Sequence, residues 1–529
     1  MSATRQAEEE TVTPSAARSW VAVLGGIAAG AVTIGVAELL AGLMERFGWS
    51  GGIPSPVIAV GEAFIDRTPP WLKDFAVNKF GTNDKAVLLA GIGLVLFLLS
   101  CVIGLLLRRL PVVALVGFVV LLAVAMAAVL TRPGARPADL VPTLVGGLAG
   151  LWVLHRWRGL LSVGAGRREM TTERRQVLTW TVLSVIGGGL ALAAGRAVSG
   201  SARAIQAARE TFVAPRVQRP VQVPPVAPVG DVPGITPYIV PNGQFYRIDT
   251  ALQVPQVEAS GWSLKVTGMV DHEVEIDWKT LLSKPMQQAM ITLMCVSNEV
   301  GGSLNGNAIW TGWPVRELLK LAGPKPGADM VLSTSVDGFT AGTPIGALTD
   351  GRNALLAVAM NGKALPVDHG YPVRMVVPGL YGYVSATKWI THLKVTTYAK
   401  DQGYWTPRGW SAMGPVKISS RIDVPHDGRS VAPGTDGTVP IAGVAWDQHT
   451  GVSGVQVRID NGPWQSAQLG EQATVDAWRQ WVLHWPATKG RHTATVRAVD
   501  AKGHVQISAE AAPAPNGSTG LHSVTFTVA

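Results

Sequence analysis

The chain has 529 residues, 47% of them hydrophobic, and a mean hydropathy of +0.25, which is too apolar for an ordinary soluble protein and long enough for several domains. Its net charge of +9 comes from arginines beside apolar runs and from scattered positions. No basic stripe with interleaved aromatics occurs, which argues against nucleic acid as a partner.

The apolar excess lies in residues 1–200. Five runs are read as membrane spans: Trp20 to Leu43, Ala86 to Leu107, Val112 to Leu130, Leu140 to Leu154 and Val177 to Ala194. Roughly 20 apolar residues cross the hydrocarbon core, so the fourth run is the weakest of them. Glu38 is the acidic residue inside the first run, placed either for a polar contact in the bundle or at the interface. The run from Ile53 to Ile65 is short and proline-interrupted, and reads as re-entrant or surface-lying. Arg108 and Arg109 lie between the second and third spans; Arg156, Arg158, Arg167, Arg168, Arg174 and Arg175 lie between the fourth and fifth. By the positive-inside tendency both loops are cytoplasmic, which predicts a multi-pass cell-membrane protein with everything after Ala194 outside.

Residues 201–237 are expected to be a proline-rich, semi-rigid linker, as in Arg219-Pro220-Val221-Gln222-Val223-Pro224-Pro225. From 238 to 410, alternating stretches such as Trp262 to Gly268 and the helix start Asp277 to Leu282 predict an α+β domain. From 411 to 529, Val455 to Ile459 runs into the turn Asp460-Asn461-Gly462, and His492 to Val499 alternates again. Short strands at regular spacing predict an immunoglobulin-like β-sandwich.

Two cysteines make no disulfide framework, because Cys101 lies in a predicted span and Cys295 in the α+β domain. A lone buried cysteine commonly serves as a small hydrophobe. The polar, glycine-rich flank Ser297, Asn298, Gly301, Gly302, Asn305 and Gly306 favours a thiolate ligand for a soft metal instead. Downstream, His369, Arg374 and Lys388 stand among Gly370, Pro378, Gly379 and Gly382. Such a stretch suits a phosphate-bearing cofactor. Ordinary ion pairs around a core histidine account for the same residues equally well.

Taken in order, these segments resemble the sulfite oxidase family of molybdopterin enzymes, from about Tyr238 onward. The resemblance rests on Pro241-Asn242 with Phe245-Tyr246-Arg247, on the cysteine loop ending in Trp310-Thr311-Gly312-Trp313-Pro314, and on Met360 to Pro366. It continues through His369 to Arg374, Pro378-Gly379 and Lys388-Trp389. It implies an oxygen-atom-transferring oxidoreductase with molybdenum held by a pterin dithiolene and by Cys295 as catalytic metal ligand. It also implies that Asn242, Tyr246, Arg247, Ser335, His369, Arg374, Ser385, Thr387 and Lys388 line the pterin and its phosphate.

The sequence departs from sulfite oxidases where Asn298 is followed by Glu299 and Val300 instead of cations, and where Val358 falls on the position of a metal-proximal tyrosine. A buried anion without paired charges is costly, so the expected substrate is a small S- or N-oxide at least as readily as sulfite. No haem can be argued for, since His155 is the single histidine of the membrane half. A separate redox partner is therefore expected. Arg174 and Arg175 before a modest apolar helix resemble a twin-arginine export signal, with plain charge bias as the alternative. Two other classes stay open: a cofactor-free scaffold on a degenerate fold, and a membrane-tethered cysteine-nucleophile enzyme.

Overall fold

The computed structural model describes residues 14–69, 84–163, 170–198, 201–217, 220–223 and 231–529, with Leu72, Lys79 and Val229 between them. Arg167, Arg168, Arg219, Pro224 and Pro225 lie outside the described residues, as do the side chains of Arg174 and Arg175. The chain divides into two compact units, one of residues up to Ala202 with Ala251–Gln253, the other of Arg203–Thr250 with Val254–Ala529.

The first unit is helical: α1 (Pro14–Arg46), α2 (Pro56–Arg67), α3 (Asp84–Arg109), α4 (Pro111–Leu130), α5 (Val141–Val163) and α6 (Met170–Val198). Among the described residues, four segments are long and apolar enough to cross a membrane: Ser19–Arg46, Lys85–Arg109, Pro111–Leu130 and Pro137–Arg158. The fourth is thus a full span once its 3-10 turn at Pro137–Leu140 and its basic end are counted, whereas the apolar stretch Thr179–Ala194 of α6 is shorter. With 12 residues, α2 is too short to cross.

Small residues on several faces of α1 let the other helices close on it. A Cβ at Gly26 would collide with the Ser100 carbonyl on α3, one at Gly35 with Gly188 on α6, and one at Gly25 with the Trp157 ring on α5. In lipid, where apolar side chains gain little by leaving the tails, such close backbone approach is the main source of helix association. Arg108 at the end of α3 donates to Ser19 Oγ at 2.6 Å, so the basic ends of α3 and α5 share one end of the bundle with the start of α1.

The opposite end is tied by carboxylates. Buried Asp139 accepts from the amides of Gly51, Gly52 and Arg136 at 3.1, 3.0 and 2.8 Å. Glu38 is likewise buried, and it receives the hydroxyl of Ser55, the residue that caps α2, at 2.6 Å. The polar-contact reading of Glu38 is therefore the one that holds.

The second unit opens within α7 (Ser201–Glu210), at Arg203; Ile205 of this helix is buried and Arg209 donates to Leu365 O at 2.9 Å. Phe212, Val217 and Val221 follow it onto the cores of the α+β region, so the described part of the stretch lies against the domain it precedes. One sheet, in the order β2-β1-β10-β5-β6, contains β1 (Ser263–Gly268), β2 (Val274–Asp277), β5 (Met330–Ser335), β6 (Thr340–Pro344) and β10 (Ile390–Thr396). The other, in the order β3-β4-β7-β8, contains β3 (Gln287–Met294), β4 (Asn305–Pro314), β7 (Leu355–Met360) and β8 (Lys363–Ala364), with β9 (Arg374–Val376) paired to β7. Asp277 caps the short helix α8 (Trp278–Leu282) by accepting from Thr280 N. Two further short helices, α9 (Val315–Ala322) and α10 (Ile345–Thr349), complete this α+β region.

Every residue of β7 is buried, and its side chains alternate between two cores: Leu356 and Val358 enter one, Leu355, Ala357 and Met360 the other. An unbroken apolar run is what a strand covered on both faces requires.

The C-terminal region is the expected β-sandwich. One sheet runs β11-β13-β17-β16, the other β12-β19-β18-β14-β15, and Trp481, Trp485 and Phe526 fill the space between them. In chain order these strands are β11 (Ser419–Val424), β12 (Ser430–Val431), β13 (Thr438–Trp446), β14 (Val452–Ile459), β15 (Gln465–Ser466), β16 (Gln468–Leu469), β17 (Arg479–Pro486), β18 (Gly490–Asp500) and β19 (Ser523–Val528).

Gly26→Leu should lower the thermal stability of the detergent-solubilised protein, because overpacking a close helix contact costs about 3 kcal/mol. Ala127→Leu, on the apolar helix α4, provides the comparison in the same scan.

Candidate functional site

Cys295 follows the last residue of β3, where the hairpin to β4 opens into a loop. Its amide donates to Leu304 O at 2.9 Å, Leu304 N returns to Asn298 Oδ1 at 2.8 Å, and Asn298 N bonds Cys295 O at 3.1 Å. The backbone thereby holds the thiol at the rim of the sheet. Ser297 Oγ lies 2.8 Å from the sulfur. Burial pushes the thiol above its ordinary value, and the Ser297 contact opposes that shift.

Two phenols share this space. Tyr246 is pushed well above the ordinary tyrosine range by burial and then by the Cys295 charge, with Arg374 opposing. Tyr381 is pushed up to about 12 by burial, against the amide of Lys417 and with a further contribution from Cys295. Phe245 stacks on Tyr246 at 5.3 Å and meets Trp310 and His369 edge-on at 5.8 and 5.6 Å.

Arg374 begins β9 and is buried over the Trp310 ring at 5.0 Å. Its terminal nitrogens donate to His369 O and Ala386 O at 3.2 and 3.3 Å, while Nε has no hydrogen-bond partner. Burial pulls it down to about 10, with Tyr246 opposing. No carboxylate pairs with it among the described residues. Gly370, at φ +105°, permits this packing: a Cβ there would press on Arg374 and Lys388 at 3.0 and 3.1 Å. His369 is held down to about 4, by burial first and by Arg374 next, and is therefore neutral at ordinary pH.

Lys388 differs from Arg374 in being paired. Its Nζ lies 2.8 Å from the buried carboxylate of Asp249 and donates to Asp368 O at 2.9 Å. Arg247 shares the Asp249 carboxylate at 3.4 Å and also meets the Asp368 carboxylate at 3.9 Å. Cys295, Tyr246, Arg247, His369, Arg374 and Lys388 thus form one connected cluster.

The remaining residues expected from the sequence take other places. Asn242 accepts from Asn361 Nδ2 at 2.7 Å and donates to Met360 O at 3.1 Å, which fixes the rim of the cluster. Ser335 is buried with its hydroxyl toward Asp337, opposing the upward push of burial on that carboxyl, and the following amide, Val336 N, donates to Trp389 O. The side chains of Ser385 and Thr387 are turned inward: Ser385 Oγ donates to Tyr381 O at 2.9 Å, and Thr387 Oγ1 lies 2.7 Å from Ser333 Oγ. They brace the loop through these internal bonds.

Val358 requires a correction. It points into the core on the far side of β7 from Met294 and Tyr381, so a missing tyrosine at this position says nothing about the site. Sequence reasoning also passed over Asp249 and Tyr381. Asp249 lies two residues beyond Arg247, and Tyr381 stands between glycines that had been read only for their turns.

The donor set can be tested against a molybdopterin. Among the described residues, no three His, Cys, Asp or Glu side chains gather to hold a metal. A metal at Cys295 would need its other ligands from a cofactor. The guanidinium of Arg374, with no carboxylate against it among the described residues and its Nε without a hydrogen-bond partner, is the group that an anionic cofactor would satisfy. The residues fit.

Comparison with known proteins agrees. Residues 251–405 match the oxidoreductase molybdopterin binding domain, so this part of the chain is a molybdopterin-binding oxidoreductase domain. Sulfite oxidase of Gallus gallus is 28% identical over 319 residues, 51% of this chain and 68% of that protein. Mitochondrial sulfite oxidase of Rattus norvegicus is 30% identical over 318 residues, 51% of this chain and 57% of that protein. The domain belongs to the sulfite oxidase family. The match spans little more than half the length of the rat relative. Among solved structures, the sulfane dehydrogenase of Paracoccus pantotrophus is similar at 22% identity and a TM-score of 0.47, over 59% of this chain and 88% of that one.

A histidine whose folded value lies near 4, below its ordinary 6.5, favours the folded state above pH 6.5, and that contribution is lost as pH falls toward 4. Stability of the cofactor-free protein should drop by about 3 kcal/mol across that window on account of His369. In His369→Asn the denaturant midpoint should fall less steeply between the same two pH values.

Proposed function

We propose that this protein is a membrane-anchored, extracytoplasmic molybdopterin oxidoreductase with Cys295 as the protein ligand to molybdenum. The observation that carries this reading is a thiol at the end of β3, in one cluster with a buried, unpaired guanidinium, inside a molybdopterin-binding domain. When bound, the cofactor supplies oxygen-atom transfer coupled to two-electron redox. The protein's own residues bind and orient. Arg374 offers donors to an anion; Arg247 and Lys388, already balanced by Asp249 and Asp368, give point charge without a strong excess. Neutral His369 keeps the wall beside Arg374 from becoming doubly cationic. Tyr246 and Tyr381, held protonated, are phenols within electrostatic reach of the sulfur.

Substrate preference follows from charge. The cysteine loop presents exposed Glu299 and hydrophobic Val300, a poor setting for a dianion. A neutral S- or N-oxide is therefore favoured over sulfite. The four long apolar helices support membrane anchoring, and electrons pass to or from a separate redox partner. The hydrogen-bond partner of Cys295 is Ser297 and not a histidine, which speaks against a cysteine nucleophile.

Protein produced in a host that makes the cofactor should carry molybdenum by elemental analysis, and Cys295→Ala should lose both metal and turnover. Well-folded wild type without the metal would sink the proposal. Parallel assays should show faster turnover with methionine sulfoxide than with sulfite or nitrate. Arg174→Lys combined with Arg175→Lys should leave the earlier spans inserted but strand the catalytic unit in the cytoplasm, as read by protease protection. Normal placement would leave charge bias as the role of these arginines.

A further inference from the structure

The hairpin that carries Cys295 is gripped along both arms by the C-terminal β-sandwich and the loops beside it. On the incoming arm, Thr292 is bonded through all three of its polar groups. Its amide donates to Asp476 O at 3.0 Å, its carbonyl accepts from Gln448 Nε2, and its hydroxyl accepts from Trp478 N at 2.8 Å. On the loop, Ser518 Oγ donates to Asn298 O at 2.7 Å. Arg421 of β11 reaches furthest: its guanidinium donates to Gly302 O at 2.8 Å, to Asn305 Oδ1 at 2.9 Å and to Thr236 Oγ1 at 2.8 Å. Asp423 holds the remaining edge of that guanidinium at 2.6 Å.

Both members of the Arg421–Asp423 pair are buried. A buried ion pair stabilises little compared with packed hydrophobic groups, and its most secure use is to fix one arrangement among several. Here the arrangement that it fixes is the return path of the cysteine loop. His522 acts in the same direction by shape: its Nδ1 accepts from Ile422 N at 3.0 Å, and its ring occupies the place of a side chain at position 301, where Gly301 adopts φ +79°.

We propose that Arg421 is a positioning residue for Cys295, so that the sandwich sets the attitude of the thiol toward the metal. This rests on the reading of Cys295 as a metal ligand. The guanidinium does not touch the sulfur. It acts through Gly302 and Asn305, whose neighbour Leu304 accepts the Cys295 amide. Lysine at position 421 would keep the charge but could not satisfy the separately placed acceptors that the planar fork meets.

The test is the rate of Cys295 alkylation by iodoacetamide in cofactor-free full-length protein. Arg421→Lys should react roughly tenfold faster than wild type, the factor equivalent to about 1.4 kcal/mol of lost restraint. Its unfolding midpoint should fall, since buried acceptors lose their donor, but the acceleration should exceed what that loss of stability accounts for. Ser518→Ala, a milder change that still folds if the first variant does not, should react about twofold faster, consistent with loss of part of one hydrogen bond. In loaded Arg421→Lys, kcat should fall by about 10- to 100-fold at constant KM and metal content, as expected for a small misplacement. The molybdenum(V) paramagnetic spectrum should also change. Wild-type alkylation rates in both variants, or acceleration only in step with a lowered unfolding midpoint, would overturn the positioning role. If wild type carries no molybdenum, the functional reading fails, while the alkylation ratios still decide whether Arg421 restrains the loop.

Discussion

The site is organised around a guanidinium that has no carboxylate against it among the described residues. Arg374 and Lys388 are both buried, yet only Lys388 has a carboxylate against it. An isolated cation out of water is expensive unless something compensates it. Arg374 is tolerated because its charge lies over the Trp310 ring and its end nitrogens meet two backbone carbonyls. Phe245 fills the space between Trp310 and His369, and Gly370 lets the chain pass without a side chain. The arrangement leaves Nε unsatisfied, which is the form expected of a receptor for an anionic group.

The two units solve burial in different ways. In the helical unit, glycines of α1, α3 and α6 bring backbones together where a larger side chain would collide. In the catalytic unit, large side chains do the filling: Trp310, Trp389, Trp478 and Trp481 are all fully buried. These four indoles do not all meet the polar demands of burial. Those of Trp310, Trp389 and Trp478 donate to backbone carbonyls, whereas Trp481 Nε1 is left without a partner.

Much of this was legible in the residues. Spans, strands and the sandwich follow from hydropathy and alternation, which report burial directly. The cluster of Cys295 with His369, Arg374 and Lys388 followed from the order of motifs rather than from local pattern. What stayed hidden depended on partners distant in sequence. Ser385 and Thr387 look identical to ligand-facing hydroxyls until their inward partners, Tyr381 O and Ser333 Oγ, are seen. Val358 was misread because a continuous apolar strand such as β7 does not reveal which face each side chain takes. The pairing of Lys388 with Asp249 joins positions far apart in the chain, and no periodicity announces it.

The stretch that enters the second unit has a practical consequence. Ile205, Phe212, Val217 and Val221 cover apolar surface of the α+β cores, and Thr236 is bonded by Arg421 and Gln480. A soluble fragment for biochemical work is therefore best begun at Ser201. A fragment trimmed to Tyr238 would strip a hydrophobic cover from the enzyme and invite aggregation, even with every residue of the site intact.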